Sequence, residues 1–445
     1  MKNRLLYLAV LTFFPLMLSS QVYYNHTFSF GAFDHPVAFI SDQAGSVYVC
    51  GWFEDANHEN QSAFALKINI NGDEVWRATI EDSSKYMALC ITEGGHITLA
   101  GSKNNHCFLS QVNSESGTEI WSYQEEVSEG FWFGSVNEIT NGVDYRLHAA
   151  KTTDATHLIQ YDVFDSEVGI YIETVKNINH IDTPVFVSGQ ISPNQIWFAC
   201  EGLVICNNYD SYCWLWEFST IHIAGVNKYS QDQGCVVRYW FFPPTNQYFI
   251  GILTMAPEGI VYGNSFELTY PNYSVIGSGI LGTDKILVTG TIEGELAVWF
   301  IDYALTNMYE RTYPSDPPRI GVDVLGLPSN DMVIMGTETG STGDETDIFL
   351  MKLDADGLVS TGEITEGENI RIYPNPGNEE IKVRIAVQHK QSLIELFDLK
   401  GRLVLKENFT GTEGSINSTF LPSGTYIYKI TSNDGLFESG KWVKQ

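Results

Sequence analysis

The sequence predicts an all-β protein: a β-propeller of about seven blades followed by a small immunoglobulin-like β-sandwich. Three observations carry this. Apolar centres of strand-like segments recur at Phe64, Phe108, Ile159, Ile205, Ile250, Trp299 and Phe349, with spacings of 44, 51, 46, 45, 49 and 50 residues. No segment carries a convincing amphipathic helical period. The last seventy-odd residues break into short strands separated by Gly, Asn and Pro turns.

Each repeat reads as strand, strand, turn, strand. A strand with a small-residue end comes first, as in Val47-Tyr48-Val49-Cys50-Gly51, Ile97-Thr98-Leu99-Ala100-Gly101, Leu147-His148-Ala149-Ala150, Ile286-Leu287-Val288-Thr289-Gly290 and Val333-Ile334-Met335-Gly336. The strand bearing the apolar centre follows. Then come a turn and a further strand, as in Asn71-Gly72-Asp73-Glu74-Val75-Trp76 and Ser116-Gly117-Thr118-Glu119-Ile120-Trp121. A period near 48 in this order is the signature of propeller blades, and the alternatives are a solenoid or a pair of sandwiches. The small residues are expected on inner strands, where a central channel crowds out large side chains. Trp76 and Trp121 stand at matching positions and are expected to pack between adjacent blades. The segment Tyr23 to Phe30 is expected to pair into the last blade, which removes an exposed sheet edge.

The run Asp347-Ile348-Phe349-Leu350-Met351-Lys352-Leu353-Asp354 with Gly357 resembles the bacterial beta-propeller repeats of surface proteins, although no Trp follows it. The repeats between about 141 and 270 depart from that pattern, and blade boundaries there stay open.

The C-terminal segment opens with Tyr373-Pro374-Asn375-Pro376, where two prolines and an asparagine fix a turn and forbid a helix. Ile381 to Ile385, Leu393 to Asp398 and Arg402 to Leu405 follow as strands, with the turn Lys400-Gly401 before the last. Leu421-Pro422-Ser423-Gly424-Thr425-Tyr426-Ile427-Tyr428-Lys429-Ile430 alternates apolar and polar after its glycine. Gly440-Lys441-Trp442-Val443-Lys444 closes the series. These blocks together resemble the type A C-terminal sorting domain of the type IX secretion system of the Bacteroidota. The resemblance rests on Tyr373, Pro374, Asn375, Pro376, Gly401, Gly424, Tyr426, Gly440, Lys441, Val443 and Lys444, and it implies an outer-membrane translocon as partner. It further implies delivery to the cell surface or release.

The other end agrees. Lys2 and Arg4 precede the apolar run Leu5 to Leu18, and Ser19-Ser20 supplies small residues, as in a secretory signal peptide over residues 1–20. No later segment reaches about 18 uninterrupted apolar residues, so the protein is not expected to be integral to a membrane. Charge separates the parts. Residues 370–445 hold ten Lys and Arg against eight Asp and Glu, a balance of +2. Residues 21–369 hold thirteen against forty-six, a balance of −33. So acidic a body repels nucleic acid, which is excluded as a partner. The organisation read from these features is a signal peptide (1–20), a propeller (21–364), a linker (365–369) and the sorting domain (370–445).

Catalytic patterns are sparse. Seven cysteines form no Cys-x-x-Cys pair, and ten histidines form no cluster, so no metal or cofactor is expected. Mostly free, buried thiols are expected, with room for one bridge among Cys200, Cys206, Cys213 and Cys235. Asp354-Ala355-Asp356-Gly357 lacks the later acidic ligands of a calcium loop and reads as a turn. No nucleophile elbow, phosphate loop or dinucleotide fingerprint is present. One anomaly is the aromatic run from Trp197 to Phe242, ending in Tyr239-Trp240-Phe241-Phe242-Pro243-Pro244. The plain reading is inter-blade core. The sharper one is a stiff exposed loop binding a glycan or a protein ligand through Trp240 and Phe242. A non-catalytic binding module follows, with a propeller-based glycan hydrolase or lyase as the competing class.

Overall fold

The computed structural model describes residues 23–444 except 82, 127–129, 153–157, 180–186, 193–194, 201–202, 209–211, 218–221, 231–232, 243–246, 257–258, 269–272, 341–344, 359–369, 374–376, 379, 399–401 and 433–436. Strand side chains at 152, 158–161, 173–217, 229–230, 241–242, 255–256, 259–260, 273, 370–372, 384–391, 412–413, 431–432 and 437–440 also lie outside the description, as do the proposed signal peptide and linker. Two compact units divide the chain: Val22–Val359, and one containing Ser360–Gln445.

In the first unit, seven four-stranded antiparallel blades are present among the described residues. They span 33–80, 84–124, 132–179, 187–217, 222–268, 273–313 and 319–353. The seventh contributes only three strands in sequence. Its fourth and outermost is Asn25–Phe28, paired antiparallel with Thr346–Leu353 from Asn25 opposite Met351 to Phe28 opposite Ile348. The expected closure by the N-terminal segment is therefore present, and the last blade gains the edge strand it would lack. Each of the seven apolar centres lies on the third strand of its blade, from Phe64 in Gln61–Ile68 to Phe349 in Thr346–Leu353.

The innermost strands meet in order round the ring, and that of blade 7 meets that of blade 1. Strand alternation gives every blade two apolar faces, so the core forms as layers between blades. Tyr48, Cys50, Ala65, Leu99 and Phe108 fill the layer between blades 1 and 2. Phe39, Val49, Phe64, Val333 and Leu350 fill the one between blades 7 and 1, joined by Tyr24 and Phe28 from the N-terminal segment. Full burial of each large apolar side chain contributes about 1.5–3 kcal/mol.

The small residues ending the second strands do not line the channel, contrary to the sequence expectation. Each innermost strand of the best-described blades carries a β-bulge near its start: Pro36/Ala38, Tyr86/Ala88, Val275/Gly277 and Gly321/Asp323. The bulge pushes a carbonyl onto the second strand. A Cβ at Gly51, Gly101, Gly290 or Gly336 would lie 2.1, 1.9, 1.8 or 2.0 Å from the carbonyl oxygen of His35, Lys85, Ser274 or Ile320. Glycine is thus required by the neighbouring backbone. Crowding at the channel itself is met by Gly277 and Gly279, whose added Cβ would lie 2.5 and 2.2 Å from the carbonyl oxygens of Val322 and Val324.

A second repeated device latches neighbouring blades together at four of the seams. The turn after the third strand is capped by an Asn or Asp side chain, as where Asn69 Oδ1 accepts from the amides of Asn71 and Asp73. An aromatic from the outermost strand of the preceding blade rests on that turn. Trp76 of blade 1 covers Gly117 of blade 2 and donates its indole N–H to the Ser114 carbonyl at 2.9 Å. Trp121 of blade 2 covers Gly169 of blade 3, and the Tyr313 hydroxyl of blade 6 donates to the Gly357 carbonyl at 2.9 Å. Tyr24, just before the closing strand, covers Gly72 of blade 1. Lys67–Glu115 (2.9 Å) and Lys285–Asp356 (2.8 Å) add ion pairs across the same seams.

In the second unit, Ile370–Tyr373, Glu380–Asp398, Leu403–Asn417, Gly424–Ser432 and Phe437–Lys444 are joined in one sheet. Here the two long central strands run through both halves, and their pairing shifts register between Arg384 and Ser392. Ile381, Val383 and Ile416 from one half then share a core with Ile394, Leu396, Ile430 and Trp442 from the other.

Gly290→Ala is expected to lower the stability of the propeller by about 3 kcal/mol, because the new methyl meets a bulged carbonyl that cannot retreat. Chemical denaturation followed by tryptophan fluorescence measures this. A change within about 0.5 kcal/mol of wild type contradicts the bulge–glycine account.

Candidate functional site

Two cavities stand out in the propeller. The first, about 940 Å³, is the central channel. Its walls are the innermost strands, which present small and apolar groups such as Ala38, Ala88, Leu89, Val226, Gly277 and Ile280. Lys228 and Asp323 are the charged side chains among its described lining residues. Asp323 is tied into the strand seam: it accepts from its neighbour's amide, that of Val324, at 2.9 Å and from the Ser278 backbone of blade 6. Burial, only partly offset by those amides, holds its carboxyl up at about 7. Asp34, at the ring closure, is held at about 7 for the same reason, although it accepts from the amides of Phe30 (2.9 Å) and Gly31 (3.0 Å).

The second cavity, about 780 Å³, opens between blades 2 and 3 on the rim formed by the turns after the first and third strands. Its floor is Glu138, on the innermost strand Trp132–Thr140 and only 8% exposed. Glu138 accepts from the Ser166 hydroxyl and, at 2.5 Å, from the Glu93 amide. Ser166 is fixed in turn because its carbonyl accepts from the Gln111 side chain at 3.1 Å. Burial raises the Glu138 pKa against these two donors. Asp165 caps its own turn through the amides of Glu167 (2.9 Å) and Val168 (3.1 Å). The sequence reading missed this place. Its linear trace is an aliphatic residue at a turn tip, Val143, where polar residues are the rule.

Trp240 does not sit in a loop. It belongs to the second strand of blade 5, Gln233–Phe242, and pairs with Phe249. Residues 239–242 thus continue the ladder, because the aromatic run pairs register by register with Gln247–Ala256. The Trp240 ring is half-buried, stacks on Phe249 at 5.5 Å and carries the Arg238 guanidinium at 5.0 Å. The Phe242 side chain and Pro243-Pro244 lie outside the described residues.

Other candidates from the sequence have structural partners. Cys50, Cys90 and Cys235 are buried free thiols, with Cys235 pushed up to about 12 by burial; Cys107 is likewise buried. The Cys200, Cys206 and Cys213 side chains lie outside the description. His148 is fully buried in blade 3. Asp354 Oδ1 caps the turn through the amides of Asp356 and Leu358, and Asp356 binds Lys285, so both serve the blade latch. Glu125 is held by Lys151 at 2.9 Å.

In the second unit the ends of the segment are brought together. The Gly377 amide donates to the Val443 carbonyl at 2.8 Å, and the Lys444 ammonium, with Lys444 only 6% exposed, hydrogen-bonds Asn378. Tyr426 is buried and donates its hydroxyl to the Pro422 carbonyl at 2.7 Å, while Gly424 starts its strand. Lys441 and Tyr373 are exposed, Val443 is half-buried, and Gly440 lies on the last strand. Pro374, Asn375, Pro376 and Gly401 lie outside the described residues.

The architecture defines a β-propeller protein with a separate C-terminal β-unit. Residues 371–445 match the family profile described as a secretion system C-terminal sorting domain, and that unit is the sorting domain of the type IX secretion system. It directs export across the outer membrane, to the cell surface or into the medium. No curated protein matches the chain. Among solved structures, the chain is similar to the Dos1 propeller, at 9% identity and a TM-score of 0.47 over 71% of this chain and 77% of that one. It is also similar to a virginiamycin B lyase from Staphylococcus aureus (13%, TM-score 0.49, 74% and 99%) and to the polysaccharide lyase Uly1 (10%, TM-score 0.42, 73% and 90%). At such identities the likeness concerns the fold alone.

Two outcomes are expected. A carboxyl raised to about 7 in the folded state stabilises below its unfolded value and loses that contribution as pH climbs through 7. The stability of Asp323→Asn relative to wild type should therefore grow by about 1 kcal/mol per pH unit between about 4 and 7. A pH-independent difference in denaturation midpoints contradicts this. Trp240→Ala should cost about 2 kcal/mol, less than a fully buried tryptophan, and lower the melting temperature. An unchanged melt would return Trp240 to the exposed-loop reading.

Proposed function

We propose that the propeller is a non-catalytic binding module carried outside the cell by its sorting domain. The observation supporting this reading is the channel wall: largely apolar side chains, with Lys228 and one described carboxyl, Asp323, the latter tied to backbone amides. A hydrolase or lyase needs an acid and a base free to reach substrate across a cleft. The observation favouring the glycan-active enzyme is Glu138, a buried carboxyl of raised pKa at the floor of an open cavity. Both of its oxygens, however, are already held by Ser166 and the Glu93 amide, which suits a fixed charge better than a proton carrier. The ligand classes that fit a propeller rim are a glycan or a protein.

The reading is tested with the purified propeller, on a panel of polysaccharides, for new reducing ends and unsaturated products, with binding followed in parallel. Binding without turnover is expected. Turnover abolished by Glu138→Gln or Asp323→Asn overturns the proposal. A chain ending at Val359 is expected to accumulate in the periplasm, checked by fractionation. Normal surface or extracellular delivery of that chain contradicts the sorting role of residues 371–445.

A further inference from the structure

We propose that the cavity between blades 2 and 3 receives a lysine or arginine side chain of a partner protein, flanked by aliphatic residues of the same segment. This deepens the binding-module reading and rests on it.

The argument begins at the lip. Val143, at a hairpin tip in blade 3 and part of the cavity lining, is 82% exposed. Ile120 of blade 2 and Ile172 of blade 3 extend the apolar surface along the cavity wall. The tip corresponding to Val143 is Gln43-Ala44 in blade 1 and Ser329-Asn330 in blade 7. The blade fold therefore does not require aliphatic groups there. Exposed aliphatic residues that share the wall of one cavity suit an interaction surface.

Charge identifies the occupant. Among its described lining residues the cavity sets Glu93, Glu138, Asp144, Asp165 and Glu167 against two basic side chains, Arg146 and His96, so a further positive group is favoured. Glu138 is locked in place by Ser166 and the Glu93 amide, and the Tyr145 hydroxyl hydrogen-bonds Glu93. The carboxylates are thus pre-positioned, which reduces the ordering cost of binding. Burial disfavours the ionised form of Glu138, a cost that an arriving ammonium or guanidinium relieves. A volume of about 780 Å³ accommodates a long side chain rather than a bare ion. Aliphatic lips suit the apolar stem and neighbours of such a side chain. A sugar would call for flat aromatic platforms, and the lip offers one aromatic, Tyr145. A protein segment is therefore the favoured ligand.

The test is selection of a random peptide display library on the chain from residue 21 onward, with wild type compared with Val143→Ser and Glu138→Gln. Wild type should enrich peptides carrying Lys or Arg next to Leu, Ile, Val or Phe. Their affinity should fall at least about tenfold for Val143→Ser, which removes the apolar tip without adding charge, with an unchanged melting temperature because that residue is exposed. Glu138→Gln and acetylation of the peptide lysine should each cause a similar loss. Enriched peptides without a basic residue, equal binding by Val143→Ser, or no enrichment at all overturn the inference. The binding-module reading fails separately, on turnover of a polysaccharide.

Discussion

The propeller depends on the seam between consecutive blades. A single four-stranded blade has two apolar faces and cannot hide either from water. Stacking blades in a ring buries both, which is why the core comes as layers such as Tyr48–Leu99–Phe108 between blades 1 and 2. The ring must close for the first and last faces to be covered. Closure is achieved by Asn25–Phe28 entering blade 7 and by Tyr24 and Phe28 joining the layer between blades 7 and 1. The latch of an outermost aromatic on the next blade's glycine turn repeats at Trp76, Trp121 and Tyr313, and Tyr24 takes the same place at the closing seam.

The same seam constrains function. Bulged innermost strands come so close that only glycine fits at Gly277 and Gly279, and most of the channel wall is apolar, with Lys228 and Asp323 as its charged exceptions. Carboxylates gather instead at the rim. There, between blades 2 and 3, the seam is held by Glu138, Ser166 and Gln111, and the turns above it splay into an open cavity. The body's excess of acid, harmless on a solvated surface, becomes specific where several carboxylates share one concave floor.

In the sorting unit, the blocks that look independent in sequence are parts of one structure. Gly377-Asn378 and Val443-Lys444 stand 66 residues apart, yet the lysine ammonium of one block is bound by the asparagine of the other. Lys444 thereby serves the fold, while Lys441 on the same strand faces solvent. Tyr426 likewise turns inward to fix the Pro422 turn.

The sequence by itself determined what is periodic or local. Repeat spacing located the third strand of every blade, and the C-terminal blocks identified the sorting domain, because both depend on residues near one another in the chain. The positions of Trp76 and Trp121 also foretold their place between blades. Only the tertiary structure decided which strand the small residues belong to, since a glycine beneath a bulged carbonyl and one facing a channel read alike. It also placed Trp240 in a ladder, because the pairing of Gln233–Phe242 with Gln247–Ala256 overrode the loop suggested by two prolines. The cavity on Glu138 was illegible for the same reason: Glu93, Gln111, Glu138 and Ser166 lie on four separate segments, and only the packing of blade 2 against blade 3 makes them neighbours.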